Sequence, residues 1–77
     1  MDINDIIARY AISVTVDDIE ILYRVSDNED VANNIYDEYY KHITGVYDCD
    51  KYHIIIKIMD YELGTHIRKF DSIEDKT

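Results

Sequence analysis

The chain has no proline and no tryptophan, two glycines, a single cysteine, and eight basic residues against seventeen acidic ones. Each shortage excludes something. Cys49 has no partner for a bridge within the chain, and a small domain without disulfides fits a reducing compartment, so a cytoplasmic location is expected. No hydrophobic run exceeds three residues, as in Ile54–Ile56, and no basic stretch precedes an apolar one. Neither a signal peptide nor a membrane-spanning helix is therefore expected. The formal net charge of −9 opposes neutralisation of phosphates, which makes direct binding to nucleic acid or to an anionic membrane the less favoured reading. At 77 residues the chain supports one domain, and a multidomain enzyme is excluded.

What is present is a globular composition, 47% hydrophobic and 12% aromatic. Isoleucine, tyrosine, aspartate and asparagine are abundant, a mix that A/T-rich codons favour and that fits a phage or mobile element. Ile3, Ile6, Ile7 and Tyr10 are spaced for a short amphipathic helix with Asp2 as its cap. From Ala11 the period changes to two, with Ile12, Val14 and Val16 on one face of a first strand. A two-residue turn at Asp17-Asp18 would pair Val16 with Ile19, Val14 with Ile21 and Ile12 with Tyr23. Both turn positions then need positive φ, so a longer loop with shifted pairing is the alternative.

Ser26 followed by Glu29 has the spacing of a capping box, and Asp27, Glu29 and Asp30 crowd the expected positive end of a helix. Val31, Ile35, Tyr39, His42, Ile43 and Val46 recur at helical spacing, and Gly45 is expected to stop the helix. Tyr52, Ile54, Ile56 and Ile58 alternate as a third strand. A turn near Asp60 and Tyr61 would set Leu63, Thr65 and Ile67 of a fourth strand against Ile58, Ile56 and Ile54. The tail from Asp71 to Thr77 is expected to fray. The order α-β-β-α-β-β predicts an α+β domain spanning 1–77, an antiparallel sheet of three or four strands in two hairpins, packed by one main helix.

No pattern for catalysis is visible. Ser13, Ser26 and Ser72 lack a nucleophile-elbow context, Cys49 lacks a cysteine-enzyme signature, and Gly45 and Gly64 stand alone, so there is no phosphate-cradling loop. The chain is expected not to be an enzyme and to need no cofactor. Metal binding is not expected either: Asp17, Asp18 and Glu20, or Asp48 and Asp50, lack the calcium-loop pattern, and Cys49, His53 and His66 lack a fourth ligand. The charge, in contrast, is polarised. Residues 1–38 hold ten acidic against two basic residues, whereas residues 39–77 hold seven against six. Asp17, Asp18 and Glu20 at the first turn, with Asp27, Glu29 and Asp30 at the helix start, are expected to form a carboxylate cluster resembling a row of phosphates. Tyr36 and Tyr40, beside Asp37 and Glu38, extend this into a mixed aromatic and acidic surface suited to a protein partner. Lys51, His53, Lys57, His66 and Arg68 gather around Ile55 and Met59 as a small basic patch on the second hairpin.

The opening Met1-Asp2-Ile3-Asn4-Asp5-Ile6-Ile7 resembles the start of small anti-CRISPR proteins from phages of Gram-positive bacteria, and the acidic, tyrosine-containing α+β chain is similar in kind. The resemblance covers seven of 77 residues and carries over no inhibitory residue. It implies inhibition of an RNA-guided nuclease by acidic residues that occupy its DNA-reading surface. Two expectations follow. The first is a phage or mobile-element inhibitor that binds a host defence or DNA-handling protein, such as a CRISPR effector, through its acidic half and mimics DNA. The second is a non-catalytic structural or assembly module that self-associates, as a homodimer for example, through an exposed strand edge.

Overall fold

The computed structural model describes residues 8–74. The short N-terminal helix read from Ile3, Ile6 and Ile7 lies outside them. Strand β1 spans Tyr10–Val16, β2 Ile19–Ser26, helix α1 Glu29–Val46, β3 Ile54–Asp60 and β4 Thr65–Asp71. The four strands form one antiparallel sheet in the order β2-β1-β3-β4, so the two hairpins meet through β1 and β3 at the centre. The expected α+β class and the four-stranded antiparallel sheet with one main helix are present.

One sheet face is the core. Tyr10, Ile12, Val14 and Val16 of β1 lie beside Ile54, Ile56 and Ile58 of β3, and Ala32, Ile35, Tyr36 and Ile43 of α1 close over them. Strand β3 shows strict alternation between buried and half-buried residues, the pattern of a strand with one packed and one open face. The buried helical positions differ from the periodic set read in the sequence. Val31, His42 and Val46 are exposed, whereas Ala32 and Tyr36 are buried. The helix presents its small Ala32 to the sheet and lies mainly over β1 and β3, with Leu22 of β2 packed at the margin of the same core.

The helix ends also differ from the capping-box reading. Asn28 is the N-cap: its side-chain oxygen accepts from the Val31 amide at 3.1 Å. Ser26 instead orders the approach, its Oγ accepting from the Asn28 amide at 3.1 Å. At the other end the helix runs through Gly45 to Val46, and the Tyr47 amide, from an extended residue, donates to the Ile43 carbonyl at 2.8 Å. Gly45 is not the stop.

Both hairpins carry a bulge that the alternating pattern conceals. Asp17 and Asp18 do form the two-residue turn, at φ 51° and 70°. Val16 pairs with Ile19 and Thr15 with Glu20. Ile21 is then the extra residue, so Val14 faces Leu22 and Ile12 faces Arg24 rather than Ile21 and Tyr23. In the second hairpin the turn is Tyr61–Gly64, with Gly64 at φ 76°. Asp60 pairs with Thr65, Met59 with His66, Ile58 with Arg68 and Ile56 with Phe70, which corrects the expected alignment of Leu63, Thr65 and Ile67. Ile67 is the extra residue there. In each hairpin the bulge lies on the edge strand, at its third residue from the turn.

The chain past β4 is tied down through Ser72. Asp71 is 7% exposed and Ser72 2%, so the expected fraying does not begin at Asp71. Ser72 N donates to the Ile54 carbonyl at 2.9 Å, while its Oγ accepts from the Ile54 amide at 2.8 Å and donates to the Tyr52 carbonyl at 3.1 Å.

Candidate protein-interaction surfaces

The topology separates the acidic residues that the sequence reading grouped. Strand β2 is eight residues long, so the Asp17-Asp18 turn and the start of α1 lie at opposite ends of it. At a rise of about 3.3 Å per residue the two are roughly 26 Å apart. The expected single carboxylate cluster of Asp17, Asp18, Glu20, Asp27, Glu29 and Asp30 is therefore two groups.

The turn end holds Asp17, Asp18 and Glu20, all exposed. Asp17 is structural: its Oδ1 accepts from the His53 amide at 2.9 Å and its own amide donates to the His53 carbonyl at 2.9 Å. These two bonds extend the β1–β3 ladder past its last strand residue and bring the connector with Asp48 and Asp50 to this end. Asp18 and Glu20 make no ion pair among the described residues.

The helix-start end holds Asp27, Glu29 and Asp30. Asp27 accepts from the Arg9 amide at 3.1 Å, and Glu29 accepts from the Tyr10 hydroxyl at 3.2 Å, so both fasten α1 to the entry of β1. Burial raises the Tyr10 hydroxyl above its ordinary pKa; Arg9 opposes the shift and the bond to Glu29 adds to it. Glu29 and Asp30 also sit in the first turn, where the positive end of the helix dipole favours them. Farther along, Asp37 is bound to Arg68 at 2.8 Å, while Glu38 is exposed. Asp30 and Glu38 are thus the helix carboxylates that make neither an ion pair nor a side-chain hydrogen bond among the described residues.

Two aromatic members of the expected surface behave differently. Tyr36 is 5% exposed and belongs to the core; the Arg68 guanidinium lies 4.0 Å from its ring centroid. It is not a surface contact. Tyr40 is 41% exposed and meets Phe70 edge-on, ring centroids 5.0 Å apart. Arg68, placed by sequence in the basic patch of the second hairpin, points instead to the helix side, where it also donates to Asn33 at 3.1 Å.

Two carboxylates to which the sequence reading gave no role hold the two ends of the sheet. Asp60 is 1% exposed and receives the Arg9 guanidinium at 3.1 Å through both Nε and Nη2, while its Oδ1 accepts from the amides of Glu62 and Leu63. The bond from Arg9 holds this carboxyl below its ordinary value, despite burial. Asp71 Oδ1 lies 3.0 Å from His53 Nε2 and accepts from the amides of Ile73 and Glu74. Burial works to raise Asp71, but the two amides and His53 outweigh it, and the net shift is downward. A sequence signal was available for Asp60, which ends the apolar alternation of β3 immediately before a turn, whereas Asp71 follows Thr65–Phe70, a stretch with no such alternation.

The other face of the sheet is covered by no described element. Its cross-strand rows are Val25, Ala11, Met59 and His66; then Tyr23, Ser13, Lys57 and Lys69; then Glu20, Thr15, Ile55 and Asp71. Tyr23 lies at the β2 side, hydrogen-bonded to Tyr61, which raises its pKa. Both free edges of the sheet carry a bulge and charged side chains, Glu20 and Arg24 on β2, Arg68 and Lys69 on β4. Sheets resist edge-to-edge pairing by this arrangement. Among the described residues, no group of three or more His, Cys, Asp or Glu side chains is placed to hold a metal ion. No described helix is long and apolar enough to cross a membrane. Comparison with protein-family models, curated proteins and solved structures gives no match.

Proposed function

We propose that this protein is a non-catalytic inhibitor that binds a basic, nucleic-acid-handling surface of a host defence or DNA-handling protein, as an anti-CRISPR protein does. The supporting observation is four exposed carboxylates, Asp30 and Glu38 on α1 and Asp18 and Glu20 at the first turn, which, unlike Asp17, Asp27, Glu29 and Asp48, make neither an ion pair nor a side-chain hydrogen bond among the described residues. A fold gains little stability by leaving such groups in one another's field, whereas a basic partner gains from them in association rate and selectivity. The separation of the groups by roughly a strand's length, about 26 Å, lets each meet a different part of a long groove.

The test uses a purified CRISPR effector with its guide RNA and measures association with this protein across salt concentrations, with duplex DNA as competitor. Asp30→Asn with Glu38→Gln, and separately Asp18→Asn with Glu20→Gln, remove charge while leaving the structural Asp17, Asp27 and Glu29 intact. Binding that competes with DNA, weakens with salt and slows about tenfold in either double variant supports the reading. Binding unchanged by both variants and by salt, or no binding to nucleic-acid-handling proteins of any class, overturns it.

A further inference from the structure

In a chain with more than twice as many acidic as basic residues, two of the eight basic ones, Lys57 and Lys69, sit directly opposite each other on neighbouring strands, on the sheet face that no described element covers. Like charges in directly opposed positions destabilise a sheet. Lys57 has no carboxylate within ion-pair distance among the described residues, and Lys69 has only Glu74, at 3.7 Å. The surroundings are apolar along the strand direction: Met59 and Ile55 flank Lys57 on the same face and are half-buried. Across the same row Ser13 lies buried at the floor, 7% exposed, and Tyr23 forms the far wall, 51% exposed. The face therefore presents apolar, cationic and apolar positions in sequence, spaced about 7 Å apart, the distance between residues i and i+2 of an extended chain.

From this we infer that the open sheet face is a docking surface for an extended segment of another protein that carries a carboxylate between two apolar side chains, at positions i, i+2 and i+4. The carboxylate lies over Lys57 and Lys69, and the apolar side chains cover Met59 and Ile55. A single carboxylate gains from the local pair of ammonium groups. A nucleic-acid strand, with a charge at every phosphate, meets the repulsion of a molecule of net charge −9, and so does a second copy of the chain. The surface is distinct from the helix carboxylates Asp30 and Glu38, whereas Glu20 of the first turn ends the row of Ile55 on the same face, so the Asp30 and Glu38 variants test the inhibitor reading independently of this one.

The probe is a synthetic hexapeptide, acetyl-Leu-Thr-Asp-Thr-Leu-Thr-amide, titrated into the isotopically labelled full chain and followed by amide chemical shifts. Controls replace its Asp with Asn or Lys, or replace the peptide with oligo(dT). The expected result is saturable shifts at Ser13, Lys57 and Lys69, lost with the Lys peptide and weakened about tenfold by Lys57→Gln with Lys69→Gln. The variant relieves a like-charge pair but takes the net charge from −9 to −11, so its own melt and amide spectrum are recorded before titration, which separates loss of binding from loss of fold. Equal binding of the Asn or Lys peptide would show a merely apolar surface and overturn the inference. Binding of oligo(dT) to the same amides, shifts that depend on protein concentration alone, nuclear Overhauser contacts between this face and residues 1–7 in the free chain, or no shifts at all would overturn it equally.

Discussion

Asp60 decides more of the structure than any other single charge. It is almost fully buried, closes the turn after β3 through two amides, and receives the guanidinium of Arg9 from the chain entering β1. Because its pKa is lowered from an ordinary 3.8, the stability it contributes is present above that value and lost as pH falls through the lowered one. Asp71 follows the same sign. The expected outcome for Asp60→Asn is a lower melting temperature at pH 7, with the gap to the parent constant down to about pH 5 and closing in more acid solution. Thermal melts of both proteins between pH 7 and pH 2 check this, and a gap that widens on acidification would refute the assignment. Comparing the two proteins removes the general effect of acid on the remaining carboxylates, which relieves their repulsion and acts in the opposite direction.

The elements were legible where a residue's type dictates a backbone state. The run Ile12, Val14, Val16 and the run Ile54, Ile56, Ile58 announced two strands with one face in the core, and Asp17-Asp18 announced a tight turn, since aspartate tolerates the left-handed region better than most side chains. The register was not legible past the bulges. Ile21 and Ile67 are apolar and fall in phase with the strand alternation, so periodicity counts them as inward-facing, although each is the residue that the ladder skips. The single carboxylate cluster was misplaced for a related reason: charge counted along the chain groups Asp18 with Asp30, whereas an intervening eight-residue strand carries them to opposite ends. Capping chemistry was legible as a region and not as a residue, because Ser26 and Asn28 both accept backbone amides there. Asn28→Ala is expected to cost about 1 kcal/mol, and Ser26→Ala less, since only Asn28 accepts from an amide of the helix's first turn. Urea unfolding of the two variants gives the comparison.

At the scale of the whole molecule, charge is the dominant liability. A net charge of −9 on 77 residues opposes compaction, and its cost falls as salt screens it. The melting temperature is expected to rise between about 10 and 150 mM sodium chloride, over which the screening length shortens from about 30 Å to about 8 Å. Glu38→Lys is expected to raise stability at low salt by a few tenths of a kcal/mol and to lose that advantage at high salt, as exposed charge interactions do. A melting temperature indifferent to salt in the parent would mean that the exposed carboxylates lie too far apart to repel one another.

The order β2-β1-β3-β4 has a consequence for how the chain is made. Strand β1 leaves the ribosome ahead of its second hydrogen-bonded neighbour, β3, which follows only after residues 17–53. Until then one side of Tyr10–Val16 has no ladder, and that segment contains no charged residue, no proline and no glycine. The bulges and charges that guard the finished sheet belong to β2 and β4, so β1 is guarded only by its pairing. A short, uncharged segment of high β-propensity with an open edge is the kind that recruits other chains. The vulnerable moment of this protein therefore falls during translation, when neighbouring nascent chains on one message stand close together and slow elongation through α1 prolongs the wait for β3.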